Sequence, residues 1–338
     1  MAEQMQAWQA ASPGTFESVF KHHASIPKPT PESLKPGQIL IQVSRAALNP
    51  ADYKVIELGL ASRALTSYPK TPGMDLSGRV VAVAADVTDT KAGDYVLARA
   101  SPLKAFGSLA QFTVCDKEGY SVIPEDMDLD QAAGVGTAGL TAYQTIQPYV
   151  KTGDKVFING GSGGVGLWGI QIAKALGCHV TVSCSTGKAE LCKSLGADDI
   201  IDYKTSDVMT ELRKRGKVFS LCADNVGDSP PNLYGASNDY LLPGSSYVFV
   251  GGHFSAKSFL SLSAGIVRPA FLGGVKAKFV SYMTVNKTKD LNQLRDWMLE
   301  GKVKTIIDST FGFMEADKAF ESLKKGSSGG KIIVRVEE

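Results

Sequence analysis

The densest run of chemically suggestive residues is Lys155-Val-Phe-Ile-Asn-Gly160-Gly161-Ser162-Gly163-Gly164-Val165-Gly166. Gly161, Gly163 and Gly166 stand at G-x-G-x-x-G spacing, with a strand-like apolar segment before them. A helix-like segment carrying Leu167, Ile170, Ile172, Ala173 and Leu176 follows. In that setting glycine permits a tight turn and lets the backbone approach a pyrophosphate. The helix N-terminus adds free N–H groups and the positive end of its dipole. Glycine-rich turns are common, so the spacing alone is a weak signal; flanked by strand and helix it predicts dinucleotide binding.

The following strand-like segment bears on which dinucleotide. An NAD site wants an acid about 20 residues past the loop to bind the ribose 2′-OH. Here His179-Val-Thr-Val-Ser183-Cys184-Ser185-Thr186-Gly187-Lys188 holds no acid, and the first is Glu190. Ser183, Ser185 and Thr186 offer hydroxyls and Lys188 a cation, a set suited to a 2′-phosphate that a carboxylate would repel. A lysine in a helix's first turn also runs against the macrodipole unless it has an anionic partner. The expected cofactor is NADPH.

These residues need a scaffold, and the chain supplies two kinds. From about residue 125 strands and helices alternate: strand 155–159, helix 165–176, strand 179–183, helix 188–195, strand 199–202, then strands at 218–222, 246–250 and 278–283. Such alternation implies a parallel sheet covered by helices. The first third instead shows short strands at 39–43, 80–84, 95–99 and 109–114, punctuated by Pro36-Gly37, Pro72-Gly73 and Gly93-Asp94. That pattern reads as a mostly antiparallel, barrel-like domain. A helix, a strand at 305–307, a helix at 315–324 and a strand at 331–336 close the chain and read as completing the first domain. The expected fold is α/β, with the parallel-sheet domain (125–286) inserted into the antiparallel one (1–124 and 287–338).

Composition excludes several classes. Hydrophobic residues are 43% and charged residues 21% of 338, ordinary globular usage rather than disorder. Lys plus Arg number 36 against 34 Asp plus Glu, a net charge of +2, so neither nucleic acid nor an anionic membrane surface has electrostatic support. Two uncharged stretches, 131–150 and 156–173, are too rich in polar residues and glycine to span a bilayer. Five scattered cysteines lack any paired spacing, and the N-terminal residues have no leader-like pattern. The expected location is cytoplasmic.

Further motifs extend the pattern: Asn49-Pro50-Ala51-Asp52-Tyr53-Lys54, Pro72-Gly73-Met74-Asp75-Leu76-Ser77-Gly78, Gly136-Thr137-Ala138-Gly139-Leu140-Thr141-Ala142-Tyr143, Leu195-Gly196-Ala197-Asp198, Ile201-Asp202-Tyr203 and Asp224-Asn225-Val226-Gly227. With these the chain resembles the medium-chain dehydrogenase/reductase superfamily over essentially its whole length. Within it the chain is similar to the zinc-free quinone-oxidoreductase branch, near the reticulon-interacting reductases and the fungal trans-acting enoyl reductases. The resemblance implies a Rossmann NADP(H)-binding domain inserted in a GroES-like domain. Asn49 and Pro50 stand where zinc-containing relatives have a Cys-His pair, Met74-Asp75 replaces a His-Glu pair, and residues 101–115 hold one cysteine in place of a four-cysteine lobe. Zinc needs three or four N, S or O ligands. The implied reaction is therefore metal-free hydride transfer to a quinone or to the conjugated C=C of an α,β-unsaturated carbonyl.

The resemblance also implies site residues. Ser162, Gly163, Gly164 and Val165 would contact the pyrophosphate, and Ser185, Lys188 and Tyr203 the 2′-phosphate end. Thr137, Thr141, Asn49, Val250, Gly251, Phe279 and Val280 would lie along the nicotinamide half, Asn225 near the adenosine half, and Gly330 and Lys331 over the cofactor. Lys54, where many quinone-reductase relatives carry Tyr, is the candidate hydrogen-bond donor to the substrate oxygen. His253, Tyr68 and Tyr282 are weaker candidates. The apolar segment 254–275 suggests an acceptor with a hydrophobic body, and strand 278–283 a sheet edge where subunits pair, so the chain would be a monomer or a homodimer. Two other readings stay open: a trans-acting enoyl reductase serving a polyketide synthase, and a non-catalytic NADPH-binding structural or regulatory protein.

Overall fold

The computed structural model describes residues 3–251 and 274–337. The chain forms two compact units, one of Met1–Leu140, Val285–Gly301 and Thr305–Glu338, the other of Thr141–Thr284 and Lys302–Lys304.

The first unit is built on a seven-stranded sheet. Its order is Ile307–Gly312, Lys331–Arg335, Gln38–Ala47, Asp75–Val83, Tyr95–Arg99 and Tyr120–Ile123, with Phe112–Asp116 also paired to Gln38–Ala47. Only the pair Ile307–Gly312 and Lys331–Arg335 is parallel. A two-stranded hairpin, Gln4–Ala10 with Phe20–Pro27, is added that the sequence pattern does not announce. Its register shifts between Met5 and Ala7, so Ala7 and Trp8 are both buried and the period-two alternation that marks a strand is lost. The hairpin buries an aromatic core in which Phe16 lies 4.5 Å, ring to ring, from both Phe20 and Phe320.

The second unit holds the parallel sheet that the alternating pattern implies. Six parallel strands run in the order Asp199–Asp202, His179–Cys184, Lys155–Asn159, Phe219–Asp224, Leu241–Phe249 and Lys278–Ser281. Val156, Phe157 and Ile158 are buried, as the central strand of a two-sided sheet requires. The strand after Lys155–Asn159 lies on one side of it and Phe219–Asp224 on the other, so the strand order reverses there. Ligands of open α/β sheets bind at such switch points, beyond the carboxyl ends of the strands. Lys278–Ser281 is the sheet edge among the described residues. His253, Gly252 and most of the apolar segment 254–275 lie outside the described residues.

Candidate active site

The glycine loop leaves the carboxyl end of Lys155–Asn159 and enters the helix Gly164–Ala175. Gly160 has φ +77°, a left-handed conformation that favours glycine. A Cβ on Gly161 would stand 2.6 Å from Val182 Cβ, and one on Gly166 would stand 2.2 Å from the Gly160 carbonyl oxygen. Both glycines therefore serve close packing within the unit. Gly163 differs: its φ is ordinary, it is exposed, and the nearest atom to an added Cβ is 3.6 Å away. Gly163 is also the helix N-cap, and no side chain caps the helix. The Gly163 N–H is used within the loop, donating to the Gly160 carbonyl (3.2 Å), whereas the first-turn N–H groups of Gly164 and Val165 are of the kind no helix can satisfy internally and a bound anion could accept.

A buried network holds the loop. The Gly160 N–H donates to Ser183 Oγ (2.9 Å), and Ser183 Oγ donates to Asn159 Oδ1 (2.6 Å). Asn159 Nδ2 donates to Asp224 Oδ1 (2.8 Å), whose carboxylate also accepts from Tyr247 and from the Val226 and Gly227 N–H groups. Burial nevertheless raises the Asp224 pKa, against the lowering effect of these bonds. Ser183, offered by the sequence as one of three hydroxyls for a 2′-phosphate, is thus committed inward. Asn225 Nδ2 donates to the Asn159 carbonyl, while Asn225 Oδ1 is buried without a partner among the described residues. An orphaned acceptor beside a glycine cradle is what a hydrogen-bonding ligand would complete. Sequence reading missed Asn159, although an Asn closing an apolar strand just before the loop is a visible signal.

At the other candidate positions, Ser185 and Lys188 are half-buried in the turn after His179–Cys184, and neither side chain is hydrogen-bonded or ion-paired to a described residue. Tyr203 is exposed next to them. Thr141 Oγ1 pairs with Thr284 Oγ1, and Tyr282 donates to Gln144 Oε1. Val250 extends its strand by donating to the Asp224 carbonyl, and no atom of the described residues lies within 4 Å of a Cβ built on Gly251. Phe279 packs its ring 5.0 Å from Tyr234, and Val280 packs on another hydrophobic cluster, so both side chains serve the core.

The first unit gathers Asn49, Asp75, Thr137 and Lys331 into one buried cluster. Lys331 Nζ donates to the Leu48 carbonyl (3.0 Å), Asn49 Oδ1 (2.7 Å) and Asp75 Oδ2 (3.2 Å). An ammonium has three donors, and all three are used. Asp75 accepts also from Asn49 Nδ2 (2.8 Å) and from both the N–H and the hydroxyl of Thr137 (2.7 Å each). Arg99 Nε donates to Thr137 Oγ1, and its Nη1 to Asn286 Oδ1. Gly330 allows the strand Lys331–Arg335 to start against the Ile306 carbonyl, 2.4 Å from where a Cβ would sit. Lys54, on the helix Pro50–Glu57, is exposed and has no hydrogen-bond or ion-pair partner among the described residues. Tyr68 hydrogen-bonds Ser62.

Comparison with known proteins places this arrangement. Residues 35–147 match the family model of the alcohol dehydrogenase GroES-like domain, and 195–334 that of the zinc-binding dehydrogenases. The chain is 42% identical to the trans-enoyl reductase pgmF of Aspergillus terreus, across 99% of this chain and 97% of that protein. It is 31% identical to the chloroplast envelope quinone oxidoreductase homolog of Arabidopsis thaliana, across 92% and 93%. The quinone oxidoreductase structure from Coxiella burnetii matches with a TM-score of 0.84 at 28% identity, covering 99% of this chain and all of that one. The chain belongs to the medium-chain dehydrogenase/reductase superfamily, in its quinone-oxidoreductase-like branch. It is an oxidoreductase of a nicotinamide-dependent family, with a Rossmann-type parallel sheet and a GroES-like domain.

Membership raises the question of zinc, and the donor set of this superfamily member does not fit it. The positions that would ligate the metal hold an amide (Asn49) and a thioether (Met74), and the Lys331 ammonium is bonded to Asn49 and Asp75 there. Among the described residues no group of three or more His, Cys, Asp or Glu side chains could hold a metal ion. An internal cation bound to Asn49 and Asp75 leaves the carboxylate neutralised without a metal.

The same cluster carries a pH dependence. Asp52 is buried, its Oδ2 accepts from the Asn49 N–H (2.7 Å), and its Oδ1 has no partner among the described residues. Burial first and the Asp75 carboxylate second push its pKa up to about 7. The folded state therefore holds this proton more tightly than the unfolded chain, whose Asp titrates near ~4. The stability it confers is complete below that value, declines as pH rises through about 7, and is then gone. Asp52→Asn is expected to flatten the fall in stability across this window and to melt above the native chain at pH ~8. Urea unfolding at both ends of the window checks this, and parallel pH profiles for the two proteins would refute it.

Proposed function

We propose that this chain is an NADPH-dependent reductase that delivers hydride to a quinone or to the conjugated C=C of an α,β-unsaturated carbonyl, without a metal. The observation that carries the reading is the glycine cradle with an uncapped helix N-terminus, next to a turn bearing Ser185 and Lys188, with neither Asn225 Oδ1 nor the Lys188 ammonium paired to a described residue. A bound nicotinamide would supply the hydride. The loop N–H groups hold and orient the diphosphate, Ser185 and Lys188 bind the 2′-phosphate, and Tyr203 lies beside it. Fixed orientation is one part of what a protein adds to such a transfer. Lys54, an exposed and uncommitted donor, stabilises charge developing on the substrate oxygen.

A second reading is favoured by one observation, the 42% identity over nearly the full chain to a trans-enoyl reductase. In that reading the acceptor is an enoyl thioester carried by a polyketide synthase. The open edge strand Lys278–Ser281 offers backbone groups for a homodimer. The five cysteines, all free and buried, suit a reducing, cytoplasmic setting.

Stopped-flow oxidation of NADPH against a 1,4-quinone, a 2-alkenal and an enoyl thioester tests the reading. Turnover of at least one is expected, and preference for the thioester selects the second reading. Tight NADPH binding with no oxidation by any acceptor would favour a non-catalytic protein instead. With the best acceptor, Lys54→Met is expected to lower kcat roughly 10²-fold, the usual cost of one oxyanion donor, while NADPH affinity stays unchanged. An unaltered kcat removes Lys54 from the mechanism.

A further inference from the structure

The turn that bears Ser185 and Lys188 has a carboxylate attached to it that its own strand does not contain. In the parallel sheet Cys184 lies opposite Asp202, and the Tyr203 N–H donates to the Cys184 carbonyl (3.1 Å), so the pairing continues one residue further. The segments 185–188 and 203–205 therefore leave the carboxyl end of the sheet side by side. Across that gap Thr186 Oγ1 donates to Asp202 Oδ2 (2.5 Å), while Asp202 Oδ1 accepts from the Lys204 N–H (2.9 Å). Both carboxylate oxygens are engaged, and among the described residues Thr186, chiefly through its hydroxyl, ties Asp202 to the adenosine-side turn. In NAD sites the acid that accepts the ribose 2′-OH ends the strand that here closes on Cys184; Asp202 ends the neighbouring strand instead, yet its carboxylate is bonded into the same turn, and a carboxylate facing the ribose repels a 2′-phosphate.

We propose that the Thr186–Asp202 hydrogen bond is a specificity latch: it turns the Asp202 carboxylate onto Thr186 and away from the ribose, and thereby sets the preference for a 2′-phosphorylated nucleotide. The proposal rests on the NADPH reading and names the residues that enforce it. Thr186 and Asp202 act through the turn, as positioning residues. Thr186→Val keeps the shape and removes the hydroxyl, the stronger of the two donors that residue 186 offers Asp202. The freed carboxylate then faces the ribose, disfavouring the 2′-phosphate and offering an acceptor to the 2′-OH.

The test is titration calorimetry of the whole chain with NADPH and NADH, and with the fragments 2′,5′-ADP and 5′-AMP, which report the adenosine end alone. The ratio of the two affinities is expected to fall roughly tenfold toward NADH in Thr186→Val, as one added like-charge contact requires, and equally for the fragment pair. Thr186→Ser, which keeps the donor, is expected to match the native ratio. Asp202→Asn added to Thr186→Val is expected to restore preference for the phosphorylated nucleotide by removing the charge. Circular dichroism melting confirms that each variant is folded, and the double variant separates charge from structural damage. Native preference for NADPH that Lys188→Glu abolishes but Thr186→Val leaves within about twofold overturns the latch while the NADPH reading stands. No native preference for NADPH overturns that reading itself, and the latch with it.

Discussion

Replacing Lys331 with methionine is expected to destabilise the protein by about 3–5 kcal/mol, the cost of removing one partner of a buried ion pair. At about 2–4 °C per kcal/mol for a unit of this size, the melting temperature falls by roughly 6–20 °C. The reason is the company Lys331 keeps. Its side chain is 5% exposed and that of Asp75 is 0%, so neither charge can turn to water when the other is removed. Asp75 would keep its bonds from Thr137 and Asn49 but lose its only cation among the described contacts, and Asn49 Oδ1 and the Leu48 carbonyl would lose donors. A second substitution, Asp75→Asn, in the Lys331→Met background is expected to recover most of the loss. The buried charge is then gone, and the Asn49 amide, released from Lys331, is free to turn over and pair with the new amide. Calorimetric melting of the two single variants and the double variant gives the coupling directly. Additive losses would show that the ion pair is not what holds the cluster.

The second large effect is on ligand binding, and it contrasts two glycines of one loop. Gly163→Ala is expected to weaken dinucleotide binding roughly 100-fold, about 2.8 kcal/mol, while shifting the melting temperature by no more than about 4 °C. Among the described residues the added methyl meets nothing closer than 3.6 Å, and φ at Gly163 suits any residue. Whatever affinity is lost therefore reports a ligand lying on the loop rather than damage to it. Gly166→Ala is expected to lose both binding and stability, because its Cβ would be driven to 2.2 Å from the Gly160 carbonyl oxygen and 2.7 Å from the Gly161 carbonyl carbon, neither of which can move cheaply. Calorimetric titration with NADPH alongside thermal melting separates the cases. Unchanged affinity in folded Gly163→Ala would mean that no diphosphate lies over this loop.

How far each feature can be read ahead follows from the range of the interactions behind it. The strands Lys155–Asn159 and Asp199–Asp202 fall where apolar runs and turn residues place them, and the helix after the loop begins one residue early, at Gly164. Their signals are local: a buried parallel strand is a short apolar run, and a helix entered through glycines marks its own start. The N-terminal hairpin escapes because its bulge disrupts the alternation that would reveal it. The helix expected over 188–195 begins as a short 3-10 turn, Thr186–Lys188, and only then becomes α-helical at Ala189–Ser194. That places Lys188 at the junction, beside Ser185.

From residue order alone came the parallel sheet, its glycine loop, the absence of a zinc-type ligand set at positions 49 and 74–75, and the kinship of the whole chain, since each is written in contiguous residues. Tertiary structure alone decided what the polar residues do. Lys331 meets Asn49 across 282 positions, Thr186 meets Asp202 across 16, and Ser183 turns inward to Asn159 instead of outward. A side chain's type states which hydrogen bonds it can make; the folded backbone, by bringing distant segments within about 3 Å and excluding water, determines which ones it does make.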